Sequence, residues 1–141
     1  MKIMTKEIWA NLPVANIDKS VEFFTKMGFK KNERFPFTDT MASFFIGEKS
    51  RFVMMLFRND VLEGFSGNKV SDTSNGTEVL FSIDAESPAE VDEMLQKAEA
   101  AGGTIYAQGG EKDGWMYGGG FVDLDGHRWN LLHMDFSKMN G

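Results

Sequence analysis

The sequence predicts an α+β fold built from two βαβββ modules in tandem, and three observations carry that reading. An apolar strand, an amphipathic helix stopped by glycine and a run of strands occur over residues 7–57, and the same order returns over residues 77–135. The 141 residues fit one domain of ordinary size, with room for a real core but not for two unrelated ones. The repeat should therefore describe two halves of a single domain spanning 1–141, joined by a connector at 58–76. Turn and stop signals at Gly28, Pro36, Gly102-Gly103 and Asp125-Gly126 fall between the proposed elements rather than inside them.

The first module opens with Glu7-Ile8-Trp9-Ala10-Asn11-Leu12-Pro13-Val14. Alternation sends Ile8, Ala10, Leu12 and Val14 to one face and Trp9, Asn11 and Pro13 to the other. The aliphatic face suits a covering helix, which leaves Trp9 and Asn11 facing a cavity or a partner. Asp18 can cap the helix that follows, Val21, Phe24 and Met27 lie near one stripe, and Gly28 ends it. Strands are expected over 29–34, 41–47 and 51–57, broken by Pro36 and by a turn from Gly47 to Ser50. The connector is polar and contains glycine; Val61, Leu62 and Phe65 allow at most a short helical turn, and the segment is placed to cover a cavity.

The second module is more sharply written. Thr77 to Ile83 alternates, with Val79, Phe81 and Ile83 on one face and Glu78, Leu80 and Ser82 on the other. Ser87-Pro88-Ala89-Glu90 is a capping box with proline at the first helical position, where its missing N–H costs nothing. Val91, Met94, Leu95 and Ala98 then recur at helical spacing, Glu93 can pair with Lys97, and Gly102-Gly103 stops the run. Strands are expected near 104–108, 115–122 and 128–135, the last two joined through Asp125-Gly126.

Composition narrows the possible functions. The chain has no cysteine, so thiolate catalysis and thiolate metal sites are excluded. A net charge of −6 argues against nucleic acid, whose phosphates require a basic face, and leans toward neutral or cationic ligands. No apolar run approaches the roughly 18–20 residues of a membrane span, and Met-Lys-Ile-Met-Thr-Lys-Glu carries no signal-peptide core. A cytoplasmic protein with no membrane partner is expected.

The repeated module, the segment Asn11-Leu12-Pro13-Val14-Ala15-Asn16-Ile17 and the closing hairpin Phe121-Val122-Asp123-Leu124-Asp125-Gly126-His127-Arg128-Trp129-Asn130-Leu131 together resemble the vicinal oxygen chelate superfamily. That group includes glyoxalase I, fosfomycin-resistance proteins, extradiol dioxygenases and bleomycin-resistance proteins. The resemblance covers nearly the whole chain and implies that each four-stranded sheet curls into half of an open barrel around a central cavity. It also implies a homodimer, arranged side by side or by exchange of halves. Metal-dependent members place a divalent ion between His, Glu or Gln residues on the first and last strands of each half. Carried over by position, those slots hold Trp9, Met55, Glu78 and Asn130. Only Glu78 is an anionic ligand, and an indole, a thioether and a carboxamide do not make a transition-metal site. No metal and no other cofactor is expected.

The face that would meet a ligand then comprises Trp9, Asn11, Met55, Phe57, Glu78, Leu80, Ser82, Asn130 and Leu132, with Trp115 and Tyr117 near the mouth. Flat side chains with a few polar groups describe a small-molecule pocket, although the same residues could simply fill the barrel. Glu78 is either an exposed carboxylate at a strand start or a half-buried one with a raised pKa suited to general-base work. Beside Trp9 it would also favour a cationic or planar ligand. His127 reads as a solvated turn residue, and His133 points toward the helix layer or a dimer surface. Asp123 and Asp125 read as turn chemistry rather than a calcium pair, and Gly118-Gly119-Gly120 as a place where a strand bends or a ligand approaches the backbone. The sequence thus favours a metal-free small-molecule binder of the bleomycin-resistance type; the alternative is a metal-dependent lyase, such as a lactoylglutathione lyase, an isomerase or a dioxygenase.

Overall fold

The computed structural model describes residues 2–49 and 51–139. The chain forms two compact units, one running to Ser71 and the other starting at Asp72. Each contains one four-stranded mixed sheet, so the α+β class and the module repeat are both present.

In the first unit the elements are β1 (Trp9–Val14), α1 (Ile17–Lys26), β2 (Lys30–Lys31), β3 (Met41–Ile46), β4 (Phe52–Arg58) and α2 (Asn59–Ser66). The sheet order is β1-β4-β3-β2, with β1 parallel to β4 and the other pairs antiparallel. The register puts Leu12 and Val14 beside Leu56 and Arg58, and Ala42 and Phe44 opposite Leu56 and Met54. Leu12, Val14, Ala42, Phe44, Met54 and Leu56 are all buried, and the Phe24 ring on α1 lies 5.9 Å from that of Phe44. Burial of side chains this large contributes about 1.5–3 kcal/mol each, so this layer holds the unit together.

Several local details differ from the sequence expectation. The helix is capped by Asn16, whose carboxamide oxygen accepts from Lys19 N at 2.9 Å, and not by Asp18, which sits in the first turn. The strand expected over 29–34 is only two residues long, because Asn32 turns the chain. Its side chain accepts from Arg34 N at 3.1 Å and donates to Ser43 Oγ at 3.2 Å, which removes the segment from the ladder. Gly47 adopts a positive φ of 89°; Ser50, the end of that expected turn, lies outside the described residues. The connector holds an eight-residue helix, α2, where at most one turn was expected. Arg58 pairs with Asp60 across its start, Glu63 accepts from Val70 N at 3.0 Å, and Gly67 closes it in the left-handed region. Phe65 then packs edge-on against Phe57 with ring centres 5.1 Å apart.

The second unit contains β5 (Leu80–Asp84), α3 (Pro88–Ala100), β6 (Thr104–Lys112), β7 (Met116–Val122), β8 (Arg128–Met134) and a 3-10 turn, Phe136–Lys138. Its order, β5-β8-β7-β6, repeats that of the first sheet, again with the first and last strands parallel. Ser87 Oγ accepts from Glu90 N, and Glu93 pairs with Lys97 at 3.4 Å, as the spacing predicts. Val91, Leu95 and Ala98 of α3 are buried, as are Phe121, Trp129 and Leu131 of the sheet. Phe44 in the first unit is likewise core. No helix among the described residues is long and apolar enough to cross a membrane.

Candidate functional site

Each sheet has one face covered by its long helix and one face that the helix leaves free. In the first unit, cross-strand pairing puts Trp9, Asn11 and Pro13 on the free face with Val53, Met55 and Phe57, and with Met41, Ser43 and Phe45 beyond them. Trp9 is 52% exposed and Asn11 is exposed, whereas Met55 is 4% exposed. Asn11 stands directly beside Met55 in the register, and Met55 beside Ser43. Ser43 is already committed, donating to Met54 O at 3.2 Å and accepting from Asn32. Phe57 belongs to this face but lies under Phe65, so α2 closes one end of it.

In the second unit the free face carries Leu80, Ser82 and Asp84 on β5 and Arg128, Asn130 and Leu132 on β8. Asn130 Nδ2 donates to Ser82 Oγ at 3.2 Å across the parallel ladder. The glycine run on β7 acquires a specific meaning here. A Cβ on Gly119 would strike Leu95 of α3, whereas one on Gly120 would strike the Tyr106 ring, so the two residues face opposite layers. Tyr106 occupies a β-bulge, because Ile105 pairs with Phe121 and Ala107 already pairs with Gly120. The extra residue sends its ring across the Gly120 backbone to β8, where its hydroxyl donates to Trp129 O at 3.3 Å. The Arg128 guanidinium then lies 4.7 Å from the Tyr106 ring centre. Burial lifts the Tyr106 phenol above its ordinary pKa, with the Arg128 charge pulling the other way.

Other residues expected at the site are placed elsewhere. Tyr117 lies on the helix side of its sheet, and its hydroxyl donates to the Asp92 carboxylate of α3 at 2.9 Å. That bond raises its pKa. Trp115 sits in the turn before β7 and packs on Phe136, with ring centres 6.0 Å apart. Glu78 precedes β5 rather than standing in it and is exposed, so the half-burial that general-base chemistry would need is missing. His133 faces the helix side and its Nδ1–H donates to Ala85 O at 3.0 Å. Sequence reasoning overlooked Arg128 and Tyr106. Arg128 was within reach, since it stands two residues from Asn130 on one strand face; Tyr106 was not, because a bulge reverses the alternation from which its side would be read.

The closing hairpin is a structural clamp. Asp123 Oδ1 accepts from Asp125 N and His127 N, both at 3.0 Å, and Oδ2 accepts from Trp129 Nε1 at 3.0 Å. Burial pushes this carboxyl above the usual carboxylate range, opposed by the His127 charge and these N–H donors. The loop is further tied by Thr73, whose hydroxyl donates to Asp125 O at 2.7 Å. All three donors to Asp123 come from the protein, in keeping with turn chemistry.

The structure also allows the divalent site to be tested against its donors. Of the positions carried over as ligand slots, Trp9, Met55 and Asn130 are neutral and Glu78 lies exposed before β5, while the cross-strand neighbours Asn11 and Ser82 are neutral as well. Among the described residues no group of three His, Asp or Glu side chains is placed to hold a metal ion. This set does not fit the ion of metal-dependent relatives.

Residues 6–47 match a family model described as bleomycin resistance protein-like N-terminal. A hypothetical protein from S. aureus is 32% identical, with 92% of this chain and 94% of that one covered and a TM-score of 0.79. A glyoxalase/bleomycin resistance protein/dioxygenase family enzyme from Burkholderia phytofirmans PsJN shares the fold at TM-score 0.76 and 16% identity, over 92% of this chain and all (100%) of that one. A genomically encoded fosfomycin resistance protein from Listeria monocytogenes does so at TM-score 0.69 and 16% identity, over 97% and 99% of the two chains. No curated protein matches the sequence. With its module repeat and paired sheets, the chain belongs to the glyoxalase/bleomycin resistance/dioxygenase superfamily, the vicinal oxygen chelate group.

Proposed function

We propose that this protein binds small organic molecules with a flat apolar part on the helix-free face of each sheet, without a resident transition metal. One observation carries the reading: of the four positions where metal-dependent relatives carry ligands, Trp9, Met55 and Asn130 are neutral, and Glu78 lies exposed before β5, outside the ladder. Amide, thioether and hydroxyl groups bind a ligand's polar edge and apolar surface, but they are poor competitors for a borderline transition metal. Trp9 adds an indole that is half open to solvent, a surface on which a planar ring can stack. The cationic preference expected from Glu78 loses its support, because an exposed carboxylate attracts a cation only weakly through water. A lyase, isomerase or dioxygenase of the usual metal-dependent kind would require several anionic or imidazole donors, of which these positions supply only Glu78.

The test combines elemental analysis with a ligand titration. Protein purified without chelator should carry well under one equivalent of zinc, nickel, iron or manganese. Naphthamide, a neutral planar probe, should raise the melting temperature and quench indole emission saturably, with the quenching reduced in Trp9→Phe. Stoichiometric metal, or no response to the planar probe, would overturn the proposal.

A further inference from the structure

The free face of the second sheet holds a cation with no ion-pair partner among the described residues. The carboxylate nearest it along β5, Glu78, stands two residues before Leu80, the register partner of Arg128, and is exposed. Arg128 is half-buried, and no carboxylate of the described residues lies within ion-pair reach of it. Asp84, on the same face, stands beside Leu132 in the register. That is four residues along β8 from Arg128, roughly 13 Å at strand spacing. The orientation of Arg128 is nevertheless fixed, because the guanidinium rests on the Tyr106 ring and that ring is held across Gly120 by the bond to Trp129 O. A cation stacked on a ring keeps its N–H edge available for in-plane hydrogen bonds.

The neighbouring polar groups present donors too. Asn130 is two residues along the same strand face, and Ser82 is its partner across the ladder. Because Ser82 Oγ accepts from Asn130 Nδ2, the serine's own O–H is left to donate. Arg128, Asn130 and Ser82 thus offer a row of N–H and O–H groups on one face, with Leu80 and Leu132 as apolar flanks.

The geometry points to an oxyanion site: Arg128, stacked on Tyr106 and assisted by Asn130 and Ser82, receives the carboxylate or phosphate group of the ligand. This rests on the small-molecule reading above and deepens it, assigning the ligand an anionic end where composition alone leaned toward a neutral or cationic one. A planar guanidinium edge matches the two oxygens of such a group in a bidentate fork, which a lysine cannot reproduce. Tyr106 acts as a positioning residue, since its hydroxyl is already used on the main chain.

The experiment compares naphthoate, naphthyl phosphate and neutral naphthamide on the whole protein by calorimetric titration. At least one of the two anions should bind about tenfold more tightly than the amide, a difference of one decade in Kd. Arg128→Gln should erase that advantage, weakening the anion about tenfold more than it weakens naphthamide, and Arg128→Lys should recover only part of it. Should Arg128→Gln fail to fold, Arg128→Lys and Ser82→Ala carry the test, each expected to weaken the anion more than the amide. The better anion of the two identifies the oxyanion as carboxylate or phosphate. Equal affinity for anions and amide, or an anion advantage indifferent to these substitutions, overturns the oxyanion site and leaves the small-molecule reading intact. If no planar probe binds at all, both fall.

Discussion

Asp123 accepts the indole N–H of Trp129 at 3.0 Å, so a buried hairpin carboxylate fixes the largest fully buried side chain in the protein. The Trp129 ring stacks against Phe121 at 6.0 Å and leans on Phe81 at 5.0 Å. The turn chemistry of the closing hairpin is thereby joined to the centre of the second core.

Asp123→Ala should therefore cost far more than a turn substitution normally does. It strands the Trp129 indole N–H and two main-chain N–H groups, each losing about 1–3 kcal/mol if left unpaired. We expect a net loss of about 3 kcal/mol and a melting temperature lower by about 10 °C. Asp123→Asn should fall between, since its carbonyl oxygen can still accept from the two main-chain groups. Calorimetric melting of the three proteins decides it; an alanine variant as stable as wild type would show that the clamp contributes nothing.

Gly120→Val tests the crossing of Tyr106 over β7. A side chain at Gly120 occupies the place of the Tyr106 ring, and overpacking of this kind typically costs about 1–3 kcal/mol. Tyr106→Ala introduced into the same chain should restore part of that loss, giving a coupling energy of about 1 kcal/mol in a double-mutant cycle. Urea unfolding of the four proteins supplies the cycle, and strict additivity would mean that the two residues do not meet.

What could be read from the sequence, and what could not, follows a physical division. The capping box at Ser87 and the pairing of Glu93 with Lys97 were legible because they depend on residues close in sequence. The paired faces of Asn11 with Met55 and of Ser82 with Asn130 were legible because alternation persists along a regular strand. Tyr106 was hidden by a bulge, and Tyr117, expected near the mouth, is drawn to the helix side by Asp92, a partner 25 positions away that alternation does not reveal. Glu78 was overrated because β5 starts at Leu80, so the carboxylate never enters the ladder.

The protein's two tyrosines should both ionise above the ordinary phenol value of about 10. For Tyr117 the cause is the hydrogen bond to Asp92, which only the protonated phenol can donate. A folded value above the unfolded one means that this latch between β7 and α3 stabilises fully below the unfolded pKa and is lost as pH rises through the folded pKa. Ultraviolet difference titration should place both phenolate transitions above that of free tyrosine. Tyr117→Phe should flatten the decline of melting temperature on the alkaline side, and an unchanged decline would remove the latch from the account.

The last prediction is a homodimer, and it follows from how unevenly the sheet edges are protected. Edge strand β2 is two residues long and both are lysines, a charged edge that discourages pairing with another chain. Edge strand β6 is interrupted by two register shifts and ends on Glu111 and Lys112, which also blunts it. The remaining edges are less protected: β1 carries Pro13 near its end, and β5 has only Asp84. Ile8 at 79% exposure and Trp9 at 52% flank one, and Val79 at 57% and Leu80 at 50% flank the other. Apolar side chains beside an edge strand are what a second copy would cover, and a twofold contact is the commonest closed arrangement. Sedimentation at micromolar concentration should show a species of twice 15.8 kDa. Ile8→Lys and Val79→Lys, which place a charge beside those edges, should each shift the population toward monomer without lowering the monomer's own stability by more than about 0.5 kcal/mol. A single 15.8 kDa species in the unmodified protein would mean that these edges need no partner, and the exposed indole of Trp9 would then be available to ligand alone.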